Sequence, residues 1–340
     1  MIIRKKFIET VDISGWADEV KACANLLNPY QSFEHFTDLA EECLQRVNTY
    51  KYPELINFRK GRNTNGVLLI KGALLDENLP PTIDNIDELI DRKNTYYSEF
   101  YLMMLSRFLG EPFSYRQERN GTIIHNMRPK RGNEREISSD SSEILLDLHN
   151  ENIYHPVYPD YLLFCGLRKD PAGKAKTIVV SVDDFYNNIF PYDIPILRSK
   201  RFRTSIDFNF GNTLAERGSG VLIQVLFGPA DSPFIAYDDE YIACIDAESQ
   251  ATLNRLRTLL HNTLYGFELE QGEILLLDNL RTLHGRTAFK ARYDGTDRWM
   301  QRVLVTRDIR KAAIQLGNSS RVTDWVYSPS QVLDFVDRKA

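Results

Sequence analysis

The sequence predicts a mainly β protein with flanking helices, a β-sandwich or jelly roll under helical cover. Three observations lead there. From about residue 112 the chain divides into brief β-rich runs, EILLDLH, YLLFCGLR, TIVVSV, GVLIQVLFG, FIAYDDEYIACI, GEILLLDN and WMQRVLVTRD, punctuated by Gly, Pro, Asn and Asp. Helical periodicity is concentrated before that point. The strands also follow one another without the regular βαβ alternation of a parallel sheet.

The elements follow in order. WADEVKACANLL and FTDLAEECLQRV, within about residues 15–47, repeat their apolar positions at helical spacing. GVLLIKG reads as a short buried strand, and IDELIDRKNTYYSEFYLMMLSRFLG as a further amphipathic helix. ESQATLNRLRTLLHNTLYG interrupts the β region as one more helix. LRSKRFRTSIDFNFGNTLAERGSG is polar and glycine-bearing, the best candidate for a lid over a pocket. No repeat or linker divides the chain, so residues 1–340 are expected to form one domain. About 1–110 would be helical support, 111–310 the β core and 311–340 a C-terminal extension.

Composition narrows the function. A chain of 340 residues with 43% hydrophobic content can bury a substantial core, and its net charge of -5 is small. Lys and Arg are scattered, which argues against nucleic acid or an anionic membrane and leaves small molecules as partners; the oligomeric state is open. No apolar run reaches the roughly 18 residues of a spanning helix, and MIIRKKFIETVD lacks a signal-peptide core, so a cytoplasmic protein is expected. Cys23, Cys43, Cys165 and Cys244 form no C-x-x-C pair and read as buried thiols in a reducing compartment.

The chemistry begins at 145-LLDLHNENIYHP-156. Residues two apart on a strand share a face, so His149 and Glu151 would present an imidazole and a carboxylate together. His284, after the aliphatic run of 273-GEILLLDNLRTLHGRTAF-290, can complete the set. Two histidines and one carboxylate on one side of a metal leave open positions that suit non-haem Fe(II) and oxygen. Catalytic zinc uses the same donors, but the helical H-E-x-x-H arrangement is absent. The competing reading is ordinary: histidines near strand ends are usually hydrogen-bonded core or surface residues.

In DRWMQRVL the strand period puts Arg298, Met300 and Arg302 on one face. If that face is internal, both guanidiniums require anions, and a separation of about 13 Å at roughly 3.3 Å per residue implies two separate carboxylates. A solvated strand face with snorkelling arginines is the alternative.

With both halves assembled, HNENIYHPVYPDYLLFCGLRKDPAGKAKT (149–177) and LDNLRTLHGRTAFKARYDGTDRWMQRVLVTRD (277–308) resemble the clavaminate synthase-like group of Fe(II)/2-oxoglutarate-dependent oxygenases. The resemblance runs from about residue 110 to 308. It implies a double-stranded β-helix core, jelly-roll and cupin-like, with His149, Glu151 and His284 as iron ligands. It also implies that Arg298 and Thr177 hold the distal carboxylate of 2-oxoglutarate, that Arg302 binds the substrate α-carboxylate, and that O2 is the co-substrate. Glu151 occupies the place that related halogenases leave to chloride, so hydroxylation is the expected outcome, with desaturation or cyclisation sharing its first step.

Substrate contacts follow from the same comparison. Gln117, in SYRQERNG, is the candidate for the α-amino group, although RQERN is also an ordinary exposed run. Asp238 and Glu240, in 234-FIAYDDEYIAC-244, would share a strand face and favour a cationic side chain such as lysine or arginine; a solvated hairpin tip is the competing reading. The expected reaction is hydroxylation of a methylene, Cβ or Cγ, of a free basic L-amino acid, with release of succinate and CO2. Action on another or carrier-bound amino acid such as asparagine stays open, as does a non-catalytic barrel that senses a carboxylic acid. Asp278 would orient a ligand or cap a strand end.

Overall fold

The computed structural model describes residues 6, 8–24, 27–62, 65–153, 155–204, 220–316 and 320–323. The elements, in chain order, begin with β1 (Thr10–Asp12), α1 (Ala17–Cys23), α2 (Phe33–Arg46), α3 (Pro53–Arg59), β2 (Val67–Lys71), α4 (Ile86–Asp91) and α5 (Tyr97–Leu109). Then come β3 (Glu111–Tyr115), β4 (His125–Met127), β5 (Leu146–His149), β6 (Tyr161–Arg168), β7 (Thr177–Ser181), α6 (Val182–Phe185) and α7 (Asp193–Leu197). Short strands β8 (Phe202–Arg203), β9 (Leu222–Ile223), β10 (Leu226–Phe227), β11 (Phe234–Ile235) and β12 (Ala243–Cys244) lead to α8 (Ala247–Thr263). The chain continues through β13 (Tyr265–Phe267), β14 (Ile274–Asp278), β15 (Thr282–Arg286), β16 (Trp299–Thr306), α9 (Arg310–Leu316) and β17 (Val322–Thr323).

Two sheets carry the architecture. The larger runs β1-β2-β14-β6-β16-β3-β17, with β4 also on β16, and the smaller runs β13-β7-β15-β5. Alternation along each strand sorts side chains into layers. In β6 and β16, Leu163, Cys165, Val303 and Val305 pack against α1, α2 and α5. Their neighbours Leu162, Phe164, Met300 and Leu304 share an inner cluster with Val179 and Tyr265 of the smaller sheet. The far face of that sheet, Ile178, Val180 and Leu283, packs on Leu253, Leu256 and Leu260 of α8. The order is therefore helices, large sheet, small sheet, helices. The space between the sheets is where inward polar residues must find partners.

Three expectations are corrected. The helix expected across residues 86–110 is two, α4 and α5, because Lys93 turns inward to Asp76 and Glu99 while Asp76 accepts the Tyr97 and Ser98 N–H groups and so caps α5. α5 is not amphipathic: it lies between α2 and the large sheet and is buried nearly all round. Cys244 is half-buried rather than fully buried, and Cys23 and Cys43 are neighbours between α1 and α2, all as free thiols. Most of the proposed lid, residues 205–219, lies outside the described residues, as does most of the C-terminal extension. Among the described residues, no helix is long and apolar enough to cross a membrane.

Candidate active site

β5 and β15 are antiparallel neighbours, and His149 and His284 are direct cross-strand partners with ring centroids 4.4 Å apart. Glu151 joins them by a different route from the shared strand face that the H-x-E spacing suggests. β5 ends at His149, and the chain turns through Asn152, whose φ is 47°. Asn279, just after β14, fixes that turn: its Oδ1 accepts the Glu151 N–H at 2.9 Å and its Nδ2 donates to the Glu151 carbonyl at 3.0 Å. No spacing rule singles out Asn279, because its partner is 128 residues away in sequence.

The three side chains offer ligand atoms that all lie within 4.8 Å of one another. His149 Nδ1 donates to the Asp147 carbonyl at 2.8 Å, which leaves the Nε2 lone pair available. Burial, with His149 adjacent, pushes His284 down to about 4, so its imidazole is neutral at physiological pH. Burial alone would raise Glu151, but Arg302 and His284 outweigh it and hold the carboxyl at about 2. A neutral imidazole at His284, a free Nε2 lone pair at His149 and a carboxylate at Glu151 are donors a divalent metal can use. Asp147, Asp239 and His261 also converge, but Asp239 already accepts from Arg257 Nε at 2.7 Å and from Tyr237, so that group reads as structural.

Arg302 projects between the sheets and finds anions, as an inward guanidinium must. Its anions are internal. Nη1 donates to Glu151 at 2.8 Å, and Nη2 donates to Glu118 and, at 2.7 Å, to Nδ1 of His125, its partner across β4 and β16. Glu118, rather than its neighbour Gln117, lines the cavity shared by His149, Glu151, Asp238, Glu240, Tyr241 and Arg302; Gln117 lines an adjoining one. Neighbouring residues in the turn after β3 diverge, and the side chain next to a buried guanidinium is the charged one. Neither Glu118 nor His125 carries a sequence signal without knowledge of the β4–β16 pairing.

Asp238 and Glu240 reach the same cavity, but not from a common strand face. Asp238 makes an isolated bridge to His149, and its Oδ1 accepts the N–H groups of Glu240 and Tyr241 at 3.0 and 3.2 Å, closing a tight turn. Burial raises the Asp238 carboxyl to about 6, whereas Glu240 is exposed.

At the other end of the inter-sheet space, Arg298 immediately precedes β16 and is 8% exposed. It makes no hydrogen bond or ion pair among the described residues. Burial, then the nearby charge of Arg286, pushes it down to about 9. Thr177, 5% exposed, is the cross-strand partner of Arg286. A buried guanidinium without an anion is costly, so this end is built for a ligand that brings one. Asp278 accepts the Leu280 N–H at 3.1 Å and caps the end of β14. A larger cavity of about 730 Å³, lined by Tyr30, Ile90 and Ile123, lies apart from all of these groups and holds none of the converging ligand atoms.

Comparison with known proteins agrees with this geometry. The taurine catabolism dioxygenase TauD, TfdA family matches residues 223–304. Clavaminate synthase 2 of Streptomyces clavuligerus is 31% identical over 301 residues, covering 88% of this chain and 92% of that one. L-asparagine oxygenase of Streptomyces coelicolor is 30% identical over 76% of each chain, and L-lysine 3-hydroxylase of Catenulispora acidiphila is 30% identical over 75% of this chain and 71% of that one. The crystal structure of the non-haem iron oxygenase OrfP with Fe and α-ketoglutaric acid superposes with a TM-score of 0.80 at 25% identity, covering 93% of this chain and 99% of that one.

Proposed function

Since the chain belongs to the clavaminate synthase-like Fe(II)/2-oxoglutarate-dependent amino-acid oxygenases, we propose that it hydroxylates a methylene, Cβ or Cγ, of a free basic L-amino acid. The two facing sheets are read as a double-stranded β-helix, and the described elements as one oxygenase unit. His149, Glu151 and His284 would hold Fe(II), which with 2-oxoglutarate and O2 supplies hydrogen abstraction and oxygen transfer, releasing succinate and CO2. Arg298 and Thr177 bind the distal carboxylate of 2-oxoglutarate.

The observation that carries the substrate reading is the buried Arg302–Glu118 pair beside the converging ligands. A zwitterionic α-amino acid can replace both halves of that pair, its carboxylate taking Arg302 and its ammonium taking Glu118. A substrate lacking either charge leaves one buried ion unpaired, at a cost of roughly 2–5 kcal/mol. Glu118 therefore takes the role first expected of Gln117. Asp238, with Glu240 at the pocket mouth, then faces the side chain and favours a cation such as lysine or arginine.

A second reading, hydroxylation of asparagine, is favoured by the single inward acid: Asp238 is half-buried where Glu240 is exposed, and it can accept from an amide as well as from a cation. The test is succinate release with Fe(II), 2-oxoglutarate and O2 across the free L-amino acids, with mass spectrometry for a gain of 16 Da. A response led by lysine or arginine supports the first reading, and one led by asparagine the second. Silence with all of them in a protein that binds 2-oxoglutarate points to a tethered substrate.

A further inference from the structure

Arg286 is absorbed by none of the roles above, although it lies two residues beyond His284 on the same inward face of β15. It is 5% exposed and, like Arg298 on the opposing sheet, makes no ion pair among the described residues. Its two Nη groups are committed. They donate to the Ser141 carbonyl, to Ser141 Oγ at 3.0 Å and to the Ile144 carbonyl at 3.2 Å, tying the segment before β5 to the strand that carries His284.

Its Nε is buried with no hydrogen-bond partner. A buried N–H of a cation left without an acceptor costs about as much as any unpaired polar group in a core. The acids acting on the two guanidiniums are already engaged: Asp140, which acts on Arg286, pairs with Arg119 at 2.7 Å, and Asp170, which acts on Arg298, accepts the N–H groups of Ala172, Lys174 and Ala175. The charges acting on Arg298 include Arg286 itself, so two cations from facing sheets converge beside Thr177.

We infer that Arg286 is a second anchor for the distal carboxylate of 2-oxoglutarate, donating from Nε while its Nη groups hold the Ser141–Ile144 segment in place. The inference rests on the 2-oxoglutarate reading of the Arg298 end. One carboxylate placed there satisfies the Nε, lowers the repulsion between the two guanidiniums and leaves no buried cation without an anion.

The test is equilibrium binding, by calorimetry, of 2-oxoglutarate and of oxalate to the Mn(II)-loaded protein and to its Arg286→Gln variant. Oxalate chelates a metal but has no distal carboxylate. The variant is expected to bind 2-oxoglutarate about tenfold more weakly, about 1.4 kcal/mol, and oxalate within twofold of the parent. Unchanged 2-oxoglutarate affinity, or equal loss for both ligands, overturns the role; equal loss is what a purely structural residue gives. Should Arg286→Gln fail to fold, a crystal structure of the parent with Zn(II) and 2-oxoglutarate decides: a distal carboxylate oxygen within hydrogen-bond reach of Arg286 Nε supports the anchor, and one beyond reach overturns it. A parent protein that binds oxalate but not 2-oxoglutarate overturns the cosubstrate reading together with the anchor, which separates that failure from a failure of Arg286 alone.

Discussion

Arg298 and Arg302 face the same inter-sheet space four residues apart, yet they live in opposite electrostatic conditions. Arg302 is held by Glu118, Glu151 and His125. Arg298 makes no ion pair among the described residues, and burial, then the nearby Arg286, push it down against the weaker pull of Asp170. The difference separates two ways of preparing a charge for a ligand. An internal ion pair protects the apo fold and must be exchanged when a zwitterion binds. A bare guanidinium costs the apo fold stability but loses no partner on binding.

Between the two ends lies the ligand cluster both would serve, and breaking it has the largest effect. His284→Ala should abolish amino-acid-dependent succinate release while leaving the circular dichroism spectrum unchanged. Full turnover in that folded variant removes His284 from the metal site.

The comparison itself is sharpened by the same substitution at each arginine. Arg302→Met leaves Glu118 and Glu151 buried against each other, and should destabilise the metal-free protein by about 3–5 kcal/mol in denaturant unfolding. Arg298→Met removes an unpaired cation, so the metal-free protein should be as stable as the parent or more so. The cost should appear instead in the KM for 2-oxoglutarate, raised roughly 30-fold or more, about 2 kcal/mol. Equal destabilisation by the two variants would erase the distinction.

A smaller effect is expected in the side-chain pocket. Asp238→Asn keeps the acceptor oxygen that closes the turn but removes the charge, so kcat/KM for a basic amino acid relative to a neutral one should fall about tenfold, with the KM for 2-oxoglutarate unchanged. An unaltered ratio would detach Asp238 from the side chain.

The smallest effect concerns stability alone. Burial raises the Asp278 carboxyl to about 6. The folded chain therefore retains that proton between about pH 4 and 6 where the unfolded chain loses it, and the folded state loses stability as pH rises through this window. Asp278→Asn, which can still accept the Leu280 N–H, should be more stable than the parent above pH 6, by a difference on the order of 1–3 kcal/mol that vanishes near pH 4. Thermal unfolding across that range checks it.

Much of this was legible in the sequence because it rests on short-range periodicity. The alternation in WMQRVLVT places Arg302 and Met300 on one face and Gln301 on the other, and Gln301 does turn away to Glu99 and Asn126. The ordered blocks around His149 and His284 identified the family and its cofactors. Less legible were turns. The side-by-side placement of His149 and Glu151 was expected from strand parity and arises instead from a turn clamped by Asn279. Asp238 and Glu240 were expected on one strand face and lie in a turn that Asp238 itself closes.

The sequence by itself determined the class of chemistry: donor types, arginine spacing and hydrophobic alternation are local properties that survive any ambiguity in how strands pair. Only the tertiary structure decided which charges are already neutralised. Glu118 and His125 reach Arg302, and Arg286 approaches Arg298, across strand pairings and facing sheets rather than along the chain. Electrostatic partnership depends on distance in space and on shielding from water, and neither quantity is written in the order of residues.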